Sequence, residues 1–249
     1  RQFLTLTFSL GLIAGAPCLA AGSSGPAPAV VTVPGMPPVV NPANLYSETT
    51  ADKLSPMVAG DLSRVYVPNR ISGDVTVIDP ATFKVVDTFK VGINPQHVVP
   101  SWDLKTLWVA NNAEGRTDGS LTPVDPKTGK PGRAIPVDDP YNMYFTPDGK
   151  SAIIVAEALK RLDFRDAQTM TFQSSIATPR CAGINHADFS IDGRYAIFTC
   201  EFRGSLVKVD LVNRKVLGYL KLSKGGMPQD IRISPDGKVF YIADMHADG

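Results

Sequence analysis

Cysteine and histidine are scarce in this chain, with three of each in 249 residues. No Cys-x-x-Cys-His segment occurs, so the sequence has no place for covalent attachment of a c-type haem. It also lacks the Gly-x-x-x-x-Gly-Lys-Ser/Thr phosphate loop, the Gly-x-Ser-x-Gly nucleophile elbow and the His-Glu-x-x-His zinc helix, which removes the commonest signatures of nucleotide, acyl-transfer and zinc-protease chemistry. Charge of one sign is missing too. The 25 Lys and Arg nearly cancel the 24 Asp and Glu, and no basic run stands out, which argues against nucleic acid as a partner. The longest apolar stretch, Phe3 to Ala16, is broken by Thr5, Thr7, Ser9 and glycines, too short and too interrupted for a membrane span. What is present, 43% hydrophobic and 20% charged residues, suffices for a folded domain with a sizeable core.

The chain opens on Arg1 and the apolar stretch leads to small residues at Ala20 and Ala21, the pattern of a signal peptide over 1–21 that lacks its start. This predicts export to the periplasm or beyond. Cys18 invites lipidation, but Pro17 directly before it and Gly15 where a lipobox has leucine speak against that. Cys181 and Cys200 remain as an even pair in a compartment that permits oxidation. A disulfide and two small buried thiols are equally compatible with their spacing. Residues 22–52, with six prolines between Pro26 and Pro42, read as an extended linker.

From residue 53 the sequence repeats with a period of about 44. The anchor is a tight turn: Ser101-Trp102-Asp103-Leu104-Lys105, Thr146-Pro147-Asp148-Gly149-Lys150, Ser190-Ile191-Asp192-Gly193-Arg194 and Ser234-Pro235-Asp236-Gly237-Lys238. Its aspartates are 45, 44 and 44 residues apart, and a weaker copy lies at Gly60-Asp61-Leu62-Ser63-Arg64. Proline presets the backbone, aspartate bonds nearby amides and glycine takes the positive φ, so each copy predicts a hairpin. An apolar strand follows each turn, as in Leu107-Trp108-Val109-Ala110 and Val239-Phe240-Tyr241-Ile242. Then comes a third strand ending near an acid (Val75 to Asp79, Leu121 to Asp125, Leu206 to Asp210), and a fourth at Lys84 to Lys90 and Lys215 to Lys221. Four short strands per unit with no helical pattern predict an all-β fold, a β-propeller of four-stranded antiparallel blades.

Tyr66-Val67-Pro68-Asn69, Trp108-Val109-Ala110-Asn111 and Tyr241-Ile242-Ala243-Asp244, with the turns and the Val-x-Val-Asp strands, resemble the YVTN β-propeller repeat proteins over residues 53 to 249. The resemblance implies rings of seven or eight blades that are monomeric when complete. Blades are expected at 54–93, 95–137, 139–178 and 182–222, with a fifth from 226 that stops after two strands, so about four and a half blades of an incomplete propeller over 53–249. A second role open to Val30–Val33 is to add a strand to the last blade, since propellers often close by borrowing a strand from the other terminus. That family is similar to the haem-binding propeller of periplasmic nitrite reductase, where histidines near the channel touch the cofactor. Propeller lactonases offer a second enzymatic analogy, built on acids, a histidine and arginines.

An even strand count brings the loops before strand one and after strand two to one face of the disc. Six residues before each turn aspartate stand Ser55, His97, Asn142, His186 and Asp230, polar every time. After strand two come Asn69 and Arg70, Asn111 and Asn112, Glu157, Glu201, then Asp244 and His246. From these, His97, Asn142, His186, Asp230, Asn111, Glu201 and His246 are the candidates for a ligand site at the channel mouth, taking an unidentified protein or small molecule. The plainer alternative is that they bind channel water and cap neighbouring blades. His97 and His186 lie two blades apart, which makes joint ligation of one small ion awkward, so no metal set is assigned and no cofactor identified. The function expected is an exported binding or interaction module. The alternative is a cofactor- or metal-dependent periplasmic enzyme at the same mouth, haem-binding or lactonase-like. Asp79 and Asp125, each followed by proline, read as turn formers.

Overall fold

The computed structural model describes residues 29–114, 116–222 and 225–246. The 1–21 segment read as a signal peptide, with Cys18, lies outside them. Within them 17 strands form five antiparallel sheets. The first holds β1 (Val65–Asn69), β2 (Asp74–Asp79) and β3 (Lys84–Lys90). The second holds β4 (Pro95–Pro100), β5 (Leu107–Asn111), β6 (Ser120–Val124) and β7 (Ile135–Pro136). β8 (Pro140–Phe145), β9 (Ser151–Ala156), β10 (Arg161–Asp166) and β11 (Phe172–Ala177) make the third, and β12 (Ile184–Phe189), β13 (Tyr195–Cys200), β14 (Ser205–Asp210) and β15 (Lys215–Lys221) the fourth. β16 (Pro228–Ile233) and β17 (Phe240–Asp244) make the fifth. Consecutive strands pair in order, and the first strands of successive sheets, β4, β8, β12 and β16, lie against one another. These are propeller blades, and the second, third and fourth are four-stranded as the repeat predicted.

The hairpin between strands one and two is built identically in four blades. The hydroxyls of Ser101, Thr146, Ser190 and Ser234 donate to Asp103, Asp148, Asp192 and Asp236 at 2.7, 2.6, 2.6 and 2.6 Å. The same aspartates accept the backbone N–H two residues on, at 3.0–3.2 Å. The fourth turn residue has positive φ, which glycine supplies in three blades and Leu104 in the second. Glycine is needed at Gly149 for a second reason. A Cβ there would lie 2.2 Å from the indole nitrogen of Trp102, because the second residue of one blade's turn sits on the glycine of the next. Pro147 does so on Gly193 and Ile191 on Gly237, with a Cβ meeting them at 3.0 and 2.9 Å.

Packing between blades is sheet on sheet. β9 is buried along its whole length: Ala152 and Ile154 face Trp108, Ala110 and Leu121 of blade two, while Ile153 and Val155 face Ala187, Ala196, Phe198 and Val207 of blade four. That two-sided burial is why the second strands read as continuous apolar runs rather than as alternating ones. Cys181 and Cys200 form a disulfide, with Cα atoms 4.8 Å apart. Cys181 precedes β12, whose first residue Ile184 pairs with Cys200, so the bond ties the loop into blade four to the end of β13.

Two expectations need correction. The first blade has three strands, because Ser55 does not start an inner strand. Its hydroxyl accepts the Met57 N–H at 3.2 Å and caps a 3₁₀ turn, Pro56–Val58, with proline at its first position. The segment read as a linker is, from residue 29, a strap across the hairpin-turn face. Residues 29–50 contain no strand, so Val30–Val33 extends none of the five sheets described. Val33 N–H donates to the Asp192 carbonyl at 2.9 Å, Leu45 N–H to that of Pro235 at 2.7 Å, and the Tyr46 hydroxyl to that of Ile233 at 2.7 Å. Val33 is buried, and between strap and turns lies an apolar cavity of about 540 Å³ bounded by Pro37, Val39, Trp102, Phe145 and Phe189. Prolines that looked like spacers hold a segment docked by scattered apolar side chains. No helix among the described residues is long and apolar enough to cross a membrane.

Gly149→Ala carries both the positive-φ penalty and the collision with Trp102, so urea denaturation is expected to show a loss of about 2–4 kcal/mol. Gly60→Ala, at φ +86 with nothing within 4 Å of its Cβ, is expected to lose only about 1 kcal/mol. The difference measures the contact between blades. Replacing both Cys181 and Cys200 by alanine opens a link of sequence separation 19 and is expected to lower stability by about 3 kcal/mol, an effect that reductant reproduces on the parent protein.

Candidate functional site

Each inner strand breaks register just after its start: between Pro95 and His97, Pro140 and Asn142, Ile184 and Ala187, and Pro228 and Asp230. One extra residue in each makes a β-bulge, which re-aims side chains toward the loop face. The bulges carry the neighbouring pairs Gln96 and His97, Tyr141 and Asn142, Asn185 and His186, Gln229 and Asp230. Counting along the repeat found the second member of each pair and missed the first.

Three rings from three blades meet there. His97 lies edge-on to Tyr141 and to His186 with centroids 5.1 and 5.2 Å apart, and Tyr141 and His186 are 6.0 Å apart. The separation of two blades therefore does not keep the histidines apart, since blade three contributes little width at the inner strands. Burial holds His97 down to about 4, with the neighbouring His186 pushing the same way and Asp230 opposing. Burial also lowers His186, against the pull of Asp230. Both rings are thus neutral at physiological pH. His97 Nε2 is buried without a hydrogen-bond partner.

Asn142 is buried, its Nδ2 donating to the Tyr144 hydroxyl at 3.1 Å and lying 3.4 Å from His186 Nδ1. The Tyr144 hydroxyl accepts the Ala187 N–H at 3.0 Å, which links blades three and four. The Asp230 carboxylate is half-exposed and paired with Arg232 at 3.0 Å. Asn111 does not reach the mouth. Wholly buried inside blade two, its Nδ2 donates to Ser120 Oγ and Thr122 Oγ1 at 3.1 and 3.0 Å, and Asn69 bonds Asp74 and Thr76 in the same way in blade one. The asparagine that closes the Tyr/Trp-Val-x-Asn strand is a strap within the blade. His246 is exposed, with Nδ1 3.1 Å from the Gly225 carbonyl. It stands apart from the other histidines, on a cavity of about 720 Å³ shared with Glu201, Phe202, Arg203, Lys221 and Met227.

Beside the rings the loops gather acids. Asn185 is wholly buried, its Nδ2 donating to Glu201 and, at 3.2 Å, to Gln229 Oε1, while Gln229 Nε2 donates to the Tyr141 hydroxyl at 3.4 Å. Glu157 is pushed up to about 7 by burial first, then by Glu201, Asp139 and Glu114. Burial raises Asp139 to about 6 against the N–H groups of Leu159 and Ala158. Burial also raises Glu201, against the bond from Asn185. Among the described residues no group of three or more His, Cys, Asp or Glu is placed to hold a metal ion. Tyr141, Asn185, Gln229, Asp139 and Glu114 were not found from the sequence. Glu114 could have been, since it precedes Glu157 by 43 residues, close to the repeat length.

A profile describing YNCE-like β-propellers matches residues 26–248. A search of curated protein sequences found no significant match. Among solved structures, hydrazine synthase of Kuenenia stuttgartiensis is similar over 74% of this chain and 53% of its own, at 24% identity and a TM-score of 0.62. The periplasmic gluconolactonase PpgL of Pseudomonas aeruginosa matches over 73% of this chain and 61% of its own, at 19% identity and a TM-score of 0.58. The dihydro-heme d1 dehydrogenase NirN matches over 66% of this chain and 35% of its own, at 20% identity and a TM-score of 0.51. The chain spans less than two thirds of the length of each, and at these identities the likeness is one of fold.

Glu157 ionises less readily in the folded protein than in the free chain, so its contribution to stability is full below about pH 4.5 and disappears as pH rises through about 7. Glu157→Gln is therefore expected to match the parent near pH 4 and to exceed it at pH 8, by on the order of 1 kcal/mol after solvent screening. Urea titrations at the two pH values check this.

Proposed function

The chain belongs to the YNCE-like β-propeller family, and we propose that it is an exported binding module that takes a ligand or partner group on the loop face of its inner strands. The observation that carries this reading is the meeting of His97, Tyr141 and His186 from three blades around a buried imidazole nitrogen with no partner. A group used only for packing is ordinarily apolar or fully bonded. A periplasmic location is supported by the disulfide of blade four and by the likeness to a periplasmic gluconolactonase.

A cofactor- or metal-dependent enzyme using the same mouth is the second reading, favoured by the neutral state of His97, the form that a metal ligand or a general base requires. The ring geometry bears on the haem variant of that reading. A flat macrocycle between two rings needs about 7 Å between their planes, twice a van der Waals contact, whereas these rings already touch edge to face. The residues as arranged do not fit a haem between them. Neither the acids of the mouth nor the histidines form a recognisable lactonase set.

The test is the absorbance spectrum, metal content and bound small molecules of the full-length protein recovered from the cell envelope. The binding reading expects no visible band and no stoichiometric metal, with a retained ligand or partner that His97→Ala/His186→Ala loses while the protein stays folded. A chromophore or a stoichiometric metal lost in that variant favours the enzyme. Retention of the ligand by the variant removes both readings.

A further inference from the structure

The hydrogen bonds behind the ring cluster decide which nitrogen of His186 carries its proton. Asn142 Oδ1 accepts the Met143 N–H at 2.8 Å. That bond fixes the amide and turns its Nδ2 toward the Tyr144 hydroxyl at 3.1 Å and His186 Nδ1 at 3.4 Å. The Tyr144 oxygen accepts from Asn142 Nδ2 and from the Ala187 N–H at 3.0 Å, which uses its capacity as an acceptor. Its own proton has one acceptor in reach among the described residues, His186 Nδ1 at 3.4 Å. Burial raises Tyr144 far above the ordinary phenol value, so that proton stays in place at physiological pH. A proton on His186 Nδ1 would thus face two donors and no acceptor. Turning the ring over would set Cδ2 against Asn142 and Tyr144 and leave the Tyr144 proton unbonded. Neutral His186 therefore carries its proton on Nε2. That nitrogen bonds no described residue and, unlike Nε2 of His97, is open to solvent.

We infer that Asn142 and Tyr144 hold His186 as a hydrogen-bond donor whose Nε2–H receives a neutral carbonyl oxygen of the ligand, and that His186 is not a metal ligand. The inference rests on the binding-module reading and names the chemistry that the module takes. An imidazole that binds a metal offers one nitrogen's lone pair while the other nitrogen donates to a carboxylate, a carbonyl or water. The groups behind His186 are donors, the reverse arrangement. A carbonyl oxygen suits the N–H better than a carboxylate does. Asp230 acts on both histidines despite its pairing with Arg232, and the Tyr141 hydroxyl is tied through Gln229 and Asn185 to Glu201. An anionic acceptor meets like charge there, and a neutral one does not.

Long-range proton–nitrogen correlation spectra of the full-length protein, labelled in its histidine rings, read the tautomer directly. The three histidines of the chain are told apart by replacing each in turn. The parent is expected to show His186 protonated on Nε2 and bare on Nδ1. Tyr144→Phe is expected to shift the Nδ1 resonance toward that of an unbonded nitrogen. Asn142→Asp keeps an oxygen for the Met143 N–H but sets an acceptor beside Nδ1, and is expected to move the proton there. Zinc is expected to leave His186 of the parent unchanged and to bind Asn142→Asp about tenfold more tightly. Titration with N-methylacetamide is expected to move the Nε2–H resonance downfield, with acetate silent. The ligand recovered with the envelope protein is expected to survive His186→Gln, whose amide still donates, and to be lost in His186→Ala. Unchanged near-ultraviolet circular dichroism shows that the variants fold, and the parent spectra need no variant fold at all. A proton on Nδ1 in the parent, zinc on His186 in the parent, or a response to acetate and none to the amide overturns the inference. The binding module then still stands if His97→Ala/His186→Ala loses the ligand. If the tautomer is as inferred and that double variant keeps the ligand, both fall.

Discussion

The stacking of hairpin turns between blades is the contact on which the rest of the molecule depends. Trp102 lies on Gly149, Pro147 on Gly193 and Ile191 on Gly237, so each blade is set against the next at one edge by a contact with no room for a Cβ. The turn that makes the contact is itself stiffened by a hydroxyl and a carboxylate bonding back to the backbone. Once the turn edge is fixed, the apolar faces of the sheets set the spacing outward, and the inner strands approach closely enough for side chains two blades apart to touch. The strap of residues 29–50 crosses the same edge through Val33, Leu45 and Tyr46 and closes the face opposite the candidate site. The proposed site lies on the other face, where the loops differ from blade to blade.

The legible part of this protein was the part governed by local rules. Turn residues impose backbone angles wherever they occur, so Thr146-Pro147-Asp148-Gly149 and its copies announced the blades at their observed positions. The first blade escaped because its Ser55-Pro56 segment answers to another local rule, a capped 3₁₀ turn, which competes with an inner strand. Residues 29–50 escaped because proline-rich composition reports backbone stiffness and says nothing about docking. Cys181 and Cys200 were undecided for a geometric reason: Cys181 precedes β12 and is opposed by no residue of a regular ladder, so strand register alone could not pair them.

At the site, taking one position per blade was the misleading rule. A bulge inserts one residue and turns two neighbours toward the same side, so counting back from the turn aspartate reached His97, Asn142, His186 and Asp230 and passed over Gln96, Tyr141, Asn185 and Gln229. Asn111 erred in the opposite direction. Its recurrence at Asn69 was real, but the cause was hydrogen bonding within each blade. Repetition of a polar residue in a propeller therefore has two sources, and only packing tells them apart. A residue repeated for the blade's own sake has all its donors satisfied by its own sheet, whereas one repeated for the mouth borrows partners from the next blade, as Asn185 does from Gln229.

The electrostatics of the mouth follow from the same geometry. Desolvation outweighs the attraction of Asp230 at both histidines, in part because Asp230 is half-exposed and already paired with Arg232. The ring cluster is consequently uncharged near neutral pH. The acids emerge from loops, keep some contact with water and retain part of their charge, with Glu157 raised to about 7 by burial first and then by its acidic neighbours. The result is an uncharged aromatic floor under an acidic rim. In the proposed site, rim charges, which act over roughly a Debye length of about 8 Å at physiological salt, would bias which ligands arrive, whereas the floor would act only on contact and select by shape. The two layers belong to different loops and strands of the same repeat, so either can change in sequence without disturbing the turn contacts that hold the blades together.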